Sequence, residues 1–228
     1  MNIERELIIS VLKLTKNGAI SFEVVTKDAK IPSTIAENLL KKLQNGGLVY
    51  LRHKVIDVDS FKRLKLAVHA IQLGADLERV SSFLDWKEFE NIAAIAFERN
   101  SYSVKKNLRF KHAGRKWEID IVGCKKPLVV CADCKHWHYG MYPSVIRRIV
   151  EEQVERTSAL AESLLKLADK IGCASWSGVK LVPAVLSLIK ARSKFYDNVP
   201  IVPVLQLQDF LSQLPAYADS LKHFSKQI

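Results

Sequence analysis

Residues 115–135 read RKWEIDIVGCKKPLVVCADCK, and their pattern decides the fold. Two apolar, β-branched runs, Trp117 to Val122 and Leu128 to Ala132, flank Gly123, two lysines and Pro127, the residue types that punctuate a hairpin. Each run carries a carboxylate where a buried strand has no use for one. Asp120 sits between Ile119 and Ile121, and Asp133 follows the run ending at Ala132. A buried charge is costly unless it is paired or bound to a cation. Positions two apart on a strand face the same way, so Asp133 and Lys135 share a face and Cys134 takes the other. For Asp120 and Asp133 to share that face, a two-residue loop at Lys125-Lys126 serves. It sets Asp120 opposite Cys131, with Asp133 as its diagonal neighbour.

An aspartate on one strand and an acid-x-lysine on the next resembles the PD-(D/E)XK nuclease superfamily, here as Asp120 followed by Asp133-Cys134-Lys135. The stretch WKEFENIAAIAFERNSY, residues 86–102, resembles the helix that precedes the hairpin in Mrr-type and archaeal Holliday-junction-resolving members, with Glu90 at the matching acid. The resemblance covers roughly residues 85–215. Ile119 stands where the name-giving proline would be, Asp133 replaces the commoner glutamate, and Ser101 precedes Tyr102 where relatives often have glycine. It implies an α/β, restriction-endonuclease-like fold, a mixed sheet with flanking helices. It also implies a divalent-metal-dependent DNA endonuclease of repair, recombination or restriction. Mg2+ or Mn2+ would be held by Glu90, Asp120, Asp133 and the backbone carbonyl of Cys134, and Glu90, Asp120, Asp133 and Lys135 would form the catalytic set. Lys135 would orient the attacking water or stabilise charge developing on the phosphate. Two alternatives keep the same fold: a non-catalytic DNA-binding regulator and an RNA-processing nuclease.

Zinc is the rival metal, because Cys131-x-x-Cys134 lies near His136, His138, Cys124 and Cys173. Strand parity opposes it, since Cys131 and Cys134 face opposite ways if the run is extended.

The chain has 228 residues and a formal net charge of +11, which favours an anionic partner, and DNA is the expected one. Between residues 105 and 126 stand Lys105, Lys106, Arg109, Lys111, Arg115, Lys116, Lys125 and Lys126, against only Glu118 and Asp120. Downstream, a helix expected from about Ser144 to Ile171 carries Arg147, Arg148, Gln153 and Arg156 in its early turns, a second set of candidates to line a nucleic-acid channel. The opening residues MNIERELIISVLKL carry charges inside any apolar core, so they do not read as a signal peptide. No run is long enough to span a membrane. Four cysteines without a secretory signal predict free thiols in a cytoplasmic protein. A homodimer is the assembly allowed for.

The first 58 residues predict a small winged helix-turn-helix. Ile3, Leu7, Ile8, Val11 and Leu12 mark one face of a first helix, and a short helix covers about Phe22 to Ala29. Thr34-x-x-Glu37 reads as a capping box for a helix through Leu43. Two short strands, Leu48 to Leu51 and Val55 to Val58, flank a basic tip. Ser33, Asn38, Lys41 and Lys42 are the outward candidates for DNA on the third helix, and Arg52 and Lys54 those on the wing. Residues 59–84 read as a helical linker and 85–228 as the nuclease-like domain.

Overall fold

The computed structural model describes residues 2–76, 79–80, 82–135, 142–188 and 193–227. The chain forms two compact units that meet in sequence between Phe89 and Glu90.

The first unit begins with helix α1 (Ile3–Leu14), whose Asn2 side chain accepts a hydrogen bond from the Arg5 N–H and so caps the first turn. Strand β1 (Ile20–Ser21), helix α2 (Phe22–Ala29) and helix α3 (Ser33–Asn45) follow. The hairpin of β2 (Tyr50–Arg52) and β3 (Val55–Asp57) joins β1 in a three-stranded sheet of order β1-β3-β2. Helix α4 (Ser60–Gln72), capped by Asp59, follows. Leu7, Ile8, Leu12, Val25, Leu40, Leu43, Ile56 and Leu64 are buried in its core. Residues 60–72, expected within a linker, tie into this unit through Arg63, whose guanidinium donates to the Leu12 carbonyl and to Thr15 Oγ1 at 2.8 and 2.7 Å. The capping box at Thr34 does not form. The cap position is Pro32, without a side-chain hydrogen bond, and Thr34 already lies inside the helix. The fixed φ of proline sets the entry in place of a hydroxyl.

The second unit is α/β, a mixed sheet flanked by helices. Helix α5 (Trp86–Arg99) leads into strands β4 (Ser103–His112), β5 (Arg115–Lys125) and β6 (Leu128–Lys135). Helices α6 (Pro143–Glu162) and α7 (Leu164–Ile171) then cross to β7 (Gly178–Ser187), followed by β8 (Phe195–Tyr196), β9 (Val199–Pro203), helix α8 (Leu207–Tyr217) and β10 (Phe224–Gln227). The seven-stranded sheet runs β4-β5-β6-β7-β9-β8, with β10 also pairing β7. The β4-β5 and β5-β6 pairs are antiparallel, and β6-β7 and β7-β9 are parallel. Ala159, Leu160 and Leu164 pack in one buried cluster with Val122, Cys124, Val129 and Cys131. A Cβ on Gly123 would run into the Phe97 ring of α5. Gly123 lies between Val122 and Cys124, so strand alternation puts α5 on the opposite face of the sheet from α6 and α7.

The single helix expected from Ser144 to Ile171 is two helices. Ser163 interrupts it at φ −95° and ψ 4°, and its hydroxyl bonds His112 Nδ1 at 3.1 Å. Residues 77, 78 and 81 of the expected helical linker, and His136 and His138, lie outside the described residues.

Candidate active site

The turn between β5 and β6 falls at Lys126-Pro127, since the ladder pairs Lys125 with Leu128 and continues to Ile121 with Ala132. Extended one step, this register places Asp120 directly across from Asp133, where the sequence reading put Asp120 across from Cys131. The shift is by two residues, so the parity holds and both carboxylates keep one face. Lys125 stays in the strand because its ammonium donates to the Asn100 carbonyl at 2.9 Å and lies 5.5 Å from the centre of the Tyr102 ring. Directly opposed like charges destabilise a sheet unless something intervenes.

On the other side of β5, the ladder to β4 pairs Lys106 with Ile121 and Leu108 with Ile119 but skips the step between them. That step holds Asn107, at φ 50°, and Asp120. The regular pairing is thus open at the position that carries the carboxylate.

Asp120 Oδ2 accepts the Cys134 N–H at 2.7 Å. Burial, then the negative charge of Asp133, push its pKa from the usual 3.8 up to about 6, with Glu90 adding to the rise and the Cys134 N–H and Lys135 opposing it. Asp133 is 2% exposed and meets two cations. Lys135 Nζ lies 3.1 Å from its Oδ1 and 3.0 Å from its Oδ2, and Arg156 Nη1 of α6 lies 2.5 Å from Oδ1. The contact to Oδ2 is an ion pair with poor hydrogen-bond geometry, so that oxygen has no hydrogen-bond partner of its own. Glu90 is 8% exposed, on the first half of α5, and forms no ion pair among the described residues. The charges of Asp133 and Glu90 are thus both felt at Asp120, while Lys135 and Arg156 both pair with Asp133.

These donors are hard oxygens, the type that suits Mg2+ or Mn2+. Asp133 Oδ2, buried without a hydrogen-bond partner, is an oxygen that such an ion would satisfy. On these grounds the donor set fits such an ion. Among the described residues no three His, Cys, Asp or Glu side chains already stand at metal-binding spacing. The four cysteines are free and buried. Burial pushes the Cys134 thiol well above its usual range and Cys124 up to about 12, so they are neutral thiols.

The nucleic-acid candidates divide. Lys105, Lys106, Arg109, Lys111, Arg115 and Lys116 are exposed along β4 and the start of β5. Arg115 stacks 4.0 Å from the centre of the Trp117 ring, and Arg109 forks onto Glu118 at 3.0 and 3.1 Å. Arg109, Phe110, Lys111, Lys116, Trp117 and Glu118 line a surface cavity of about 540 Å³. Arg147 and Arg148 are exposed and pair with Glu151 and Glu152 along their helix. Gln153 is not on that surface. It is fully buried and donates to the Cys131 carbonyl at 2.6 Å, so it holds α6 to β6 and is unavailable to DNA. In the first unit Ser33, Asn38, Lys41, Lys42, Arg52 and Lys54 are exposed. Three of them have acidic partners: Lys41 with Glu37 and Lys42 with Glu4, each at 2.8 Å, and Lys54 with Glu23 at 3.6 Å.

Arg156 is the residue whose place the sequence reading missed, since it stood there among the channel candidates. Ile149, Gln153, Arg156 and Leu160 recur at helical spacing, and that stripe faces the sheet.

No protein-family model matches the chain. Among solved structures it is similar to protein VC1899 from Vibrio cholerae, at 12% identity and a TM-score of 0.35, covering 96% of this chain and 52% of that one. It is also similar to the restriction endonuclease FokI, at 14% identity and a TM-score of 0.37, covering 94% and 44%. The chain spans about half the length of each of these proteins. An uncharacterized protein of Archaeoglobus fulgidus is 31% identical over 136 residues, which are 58% of this chain and 93% of that relative. The chain belongs to the same family as this uncharacterized Archaeoglobus fulgidus protein.

Proposed function

We propose that the second unit is a PD-(D/E)XK-type, metal-dependent DNA endonuclease that hydrolyses phosphodiester bonds, and that the first unit is a winged helix that helps to engage DNA. One observation carries the reading: Asp120 and Asp133 sit opposite each other on adjacent strands with Lys135 beside them, and Glu90 is close enough for its charge to raise Asp120. A bound Mg2+ or Mn2+ would supply positive charge at the scissile phosphate and lower the pKa of water. Glu90, Asp120 and Asp133 would hold it. Lys135 reaches Asp133 from a partly exposed position, so its ammonium can turn to a water or to a phosphate oxygen. The exposed cations of β4 would hold the flanking phosphates.

A second reading, a DNA-binding regulator without catalysis, draws on the state of Asp133. Its charge is already matched by Lys135 and Arg156. Strand scission of plasmid, branched and single-stranded DNA, in Mg2+, in Mn2+ and in chelator, separates the two. Cleavage only with metal is expected. Lys135→Ala should abolish cutting while DNA and metal binding stay near wild type, because the lysine acts on the rate rather than on ground-state affinity. Asp120→Ala and Asp133→Ala should lose metal affinity as well. A wild-type protein that cuts none of these substrates favours the regulator, and preferential cutting of RNA would move the substrate class.

A further inference from the structure

The positive charge in the site is unevenly placed. Asp133 faces two cations, Lys135 on its own strand and Arg156 on α6, while Asp120 across the ladder and Glu90 on α5 face none directly. Lys135 comes with the acid-x-lysine pattern, whereas Arg156 reaches Asp133 from a separate element. Its Nη1 takes Asp133 Oδ1 at 2.5 Å, its Nη2 reaches Glu152 at 3.4 Å, and its side chain is about three-quarters shielded. The guanidinium leaves Oδ2 without a hydrogen-bond partner, yet it sets a full positive charge beside the carboxylate that a cation would bind.

Resting on the nuclease reading above, we propose that Arg156 is a resident counter-ion of the acidic site that competes with the divalent cation for Asp133. With no cation bound, the guanidinium neutralises a carboxylate that is almost wholly buried, where an unmatched charge would be costly. When a dication takes Asp133, through the unpartnered Oδ2 or through Oδ1, its charge repels the guanidinium beside it and drives Arg156 off Oδ1. Its remaining acidic contact, Glu152, is half-exposed and weak, so the freed fork is available to a phosphate oxygen. The arginine thus makes metal binding weaker than the three acids alone would allow, and shares with Lys135 the neutralising of Asp133 in the metal-free protein.

The two roles pull Mn2+ affinity in opposite directions, which makes the test decisive. If Arg156 only positioned Asp133, its removal would loosen the carboxylate and weaken metal binding. If it competes, removal tightens binding. Calorimetric titration of Mn2+ into the full-length protein without DNA should show R156Q binding about tenfold more tightly than wild type, a difference of about 1.4 kcal/mol. R156K, which keeps the charge, should remain closer to the wild-type value. A Kd for R156Q equal to or weaker than wild type overturns the competition.

Should R156Q fail to fold, the wild type alone decides. The Arg156 guanidinium 15N resonances, followed on titration with diamagnetic Mg2+, should shift with the same Kd as the ion. Resonances unmoved at saturation overturn the proposal. Failure of the wild type to bind either ion takes down the cation reading itself, an outcome distinct from binding that is indifferent to Arg156.

Discussion

Asp120 is a carboxylate whose native surroundings oppose its charge. Its pKa of about 6 lies above the usual 3.8, so between those values the folded protein holds a proton that the unfolded chain has given up. The sign follows from linkage. Folding is favoured by this group below about pH 4, and the cost of ionising it grows as pH rises and is complete above about pH 6. Asp120→Asn can still accept the Cys134 N–H, but has no charge to place there. It should raise the melting temperature of metal-free protein at pH 7.5, by an effect on the order of 2 kcal/mol, and have almost none at pH 4. A thermal scan at the two pH values checks this. Equal effects at both would show that the buried charge is not what the site resists. Saturating Mg2+ should narrow the gap at pH 7.5, because the ion then stabilises the ionised form of the wild type alone.

At the scale of elements, the contact between Gly123 and Phe97 lets α5 lie close on β5. Gly123→Ala must push the aromatic ring or the strand aside, and overpacking of this kind costs about 1–3 kcal/mol. Urea denaturation should show that loss, and Phe97→Leu in the same chain should recover part of it, since the leucine vacates the space the methyl needs. Strands and helices of this sort were legible where burial is strong. The run Leu128 to Ala132 is apolar because the parallel part of the sheet is covered on both faces. Strand β4 was not legible. Its lysines and arginines lie on an edge, where charge discourages further pairing, and Asn107 breaks its alternation with a left-handed residue. The break at Ser163 also escaped, since the apolar period continues through it and only the distant His112 shows why the helix stops. The carboxylate face was legible from strand parity. The register was not, because Lys125 resembles a turn residue until Asn100 and Tyr102 are brought beside it.

Charge is shared unequally over the whole molecule. Residues 90–228 hold 21 Lys and Arg against 13 Asp and Glu, so they carry +8 of the +11, while residues 1–89 hold 14 against 11. Lys41, Lys42 and Lys54 of the first unit are each near an acid, which offsets part of their pull on a phosphate. Affinity for DNA should therefore fall steeply with salt, chiefly through the second unit. Replacing Lys105, Lys106, Lys111 and Lys116 with glutamine should reduce the slope of log affinity against log salt by about one for each phosphate no longer engaged. Replacing Lys41, Lys42 and Lys54 should change it less. Fluorescence anisotropy over a salt series compares the two sets, and an unchanged slope in the first would show that the phosphates are held elsewhere.

Arg63 has a consequence for how the first unit comes apart. Its side chain is 3% exposed, and its fork holds the Leu12 carbonyl, Thr15 Oγ1, the Phe83 carbonyl and Glu88, pieces of chain from opposite ends of the unit. No segment can leave without breaking a charge-assisted bond in a dry place, so α1 and α4 should open as one cooperative block rather than fray separately. Native-state amide exchange should give Ile3–Leu14 and Ser60–Gln72 a common opening free energy. Arg63→Ala, at a cost of about 3–5 kcal/mol, should lower both together, whereas exchange that quickens in α4 alone would mean that the two helices are only neighbours.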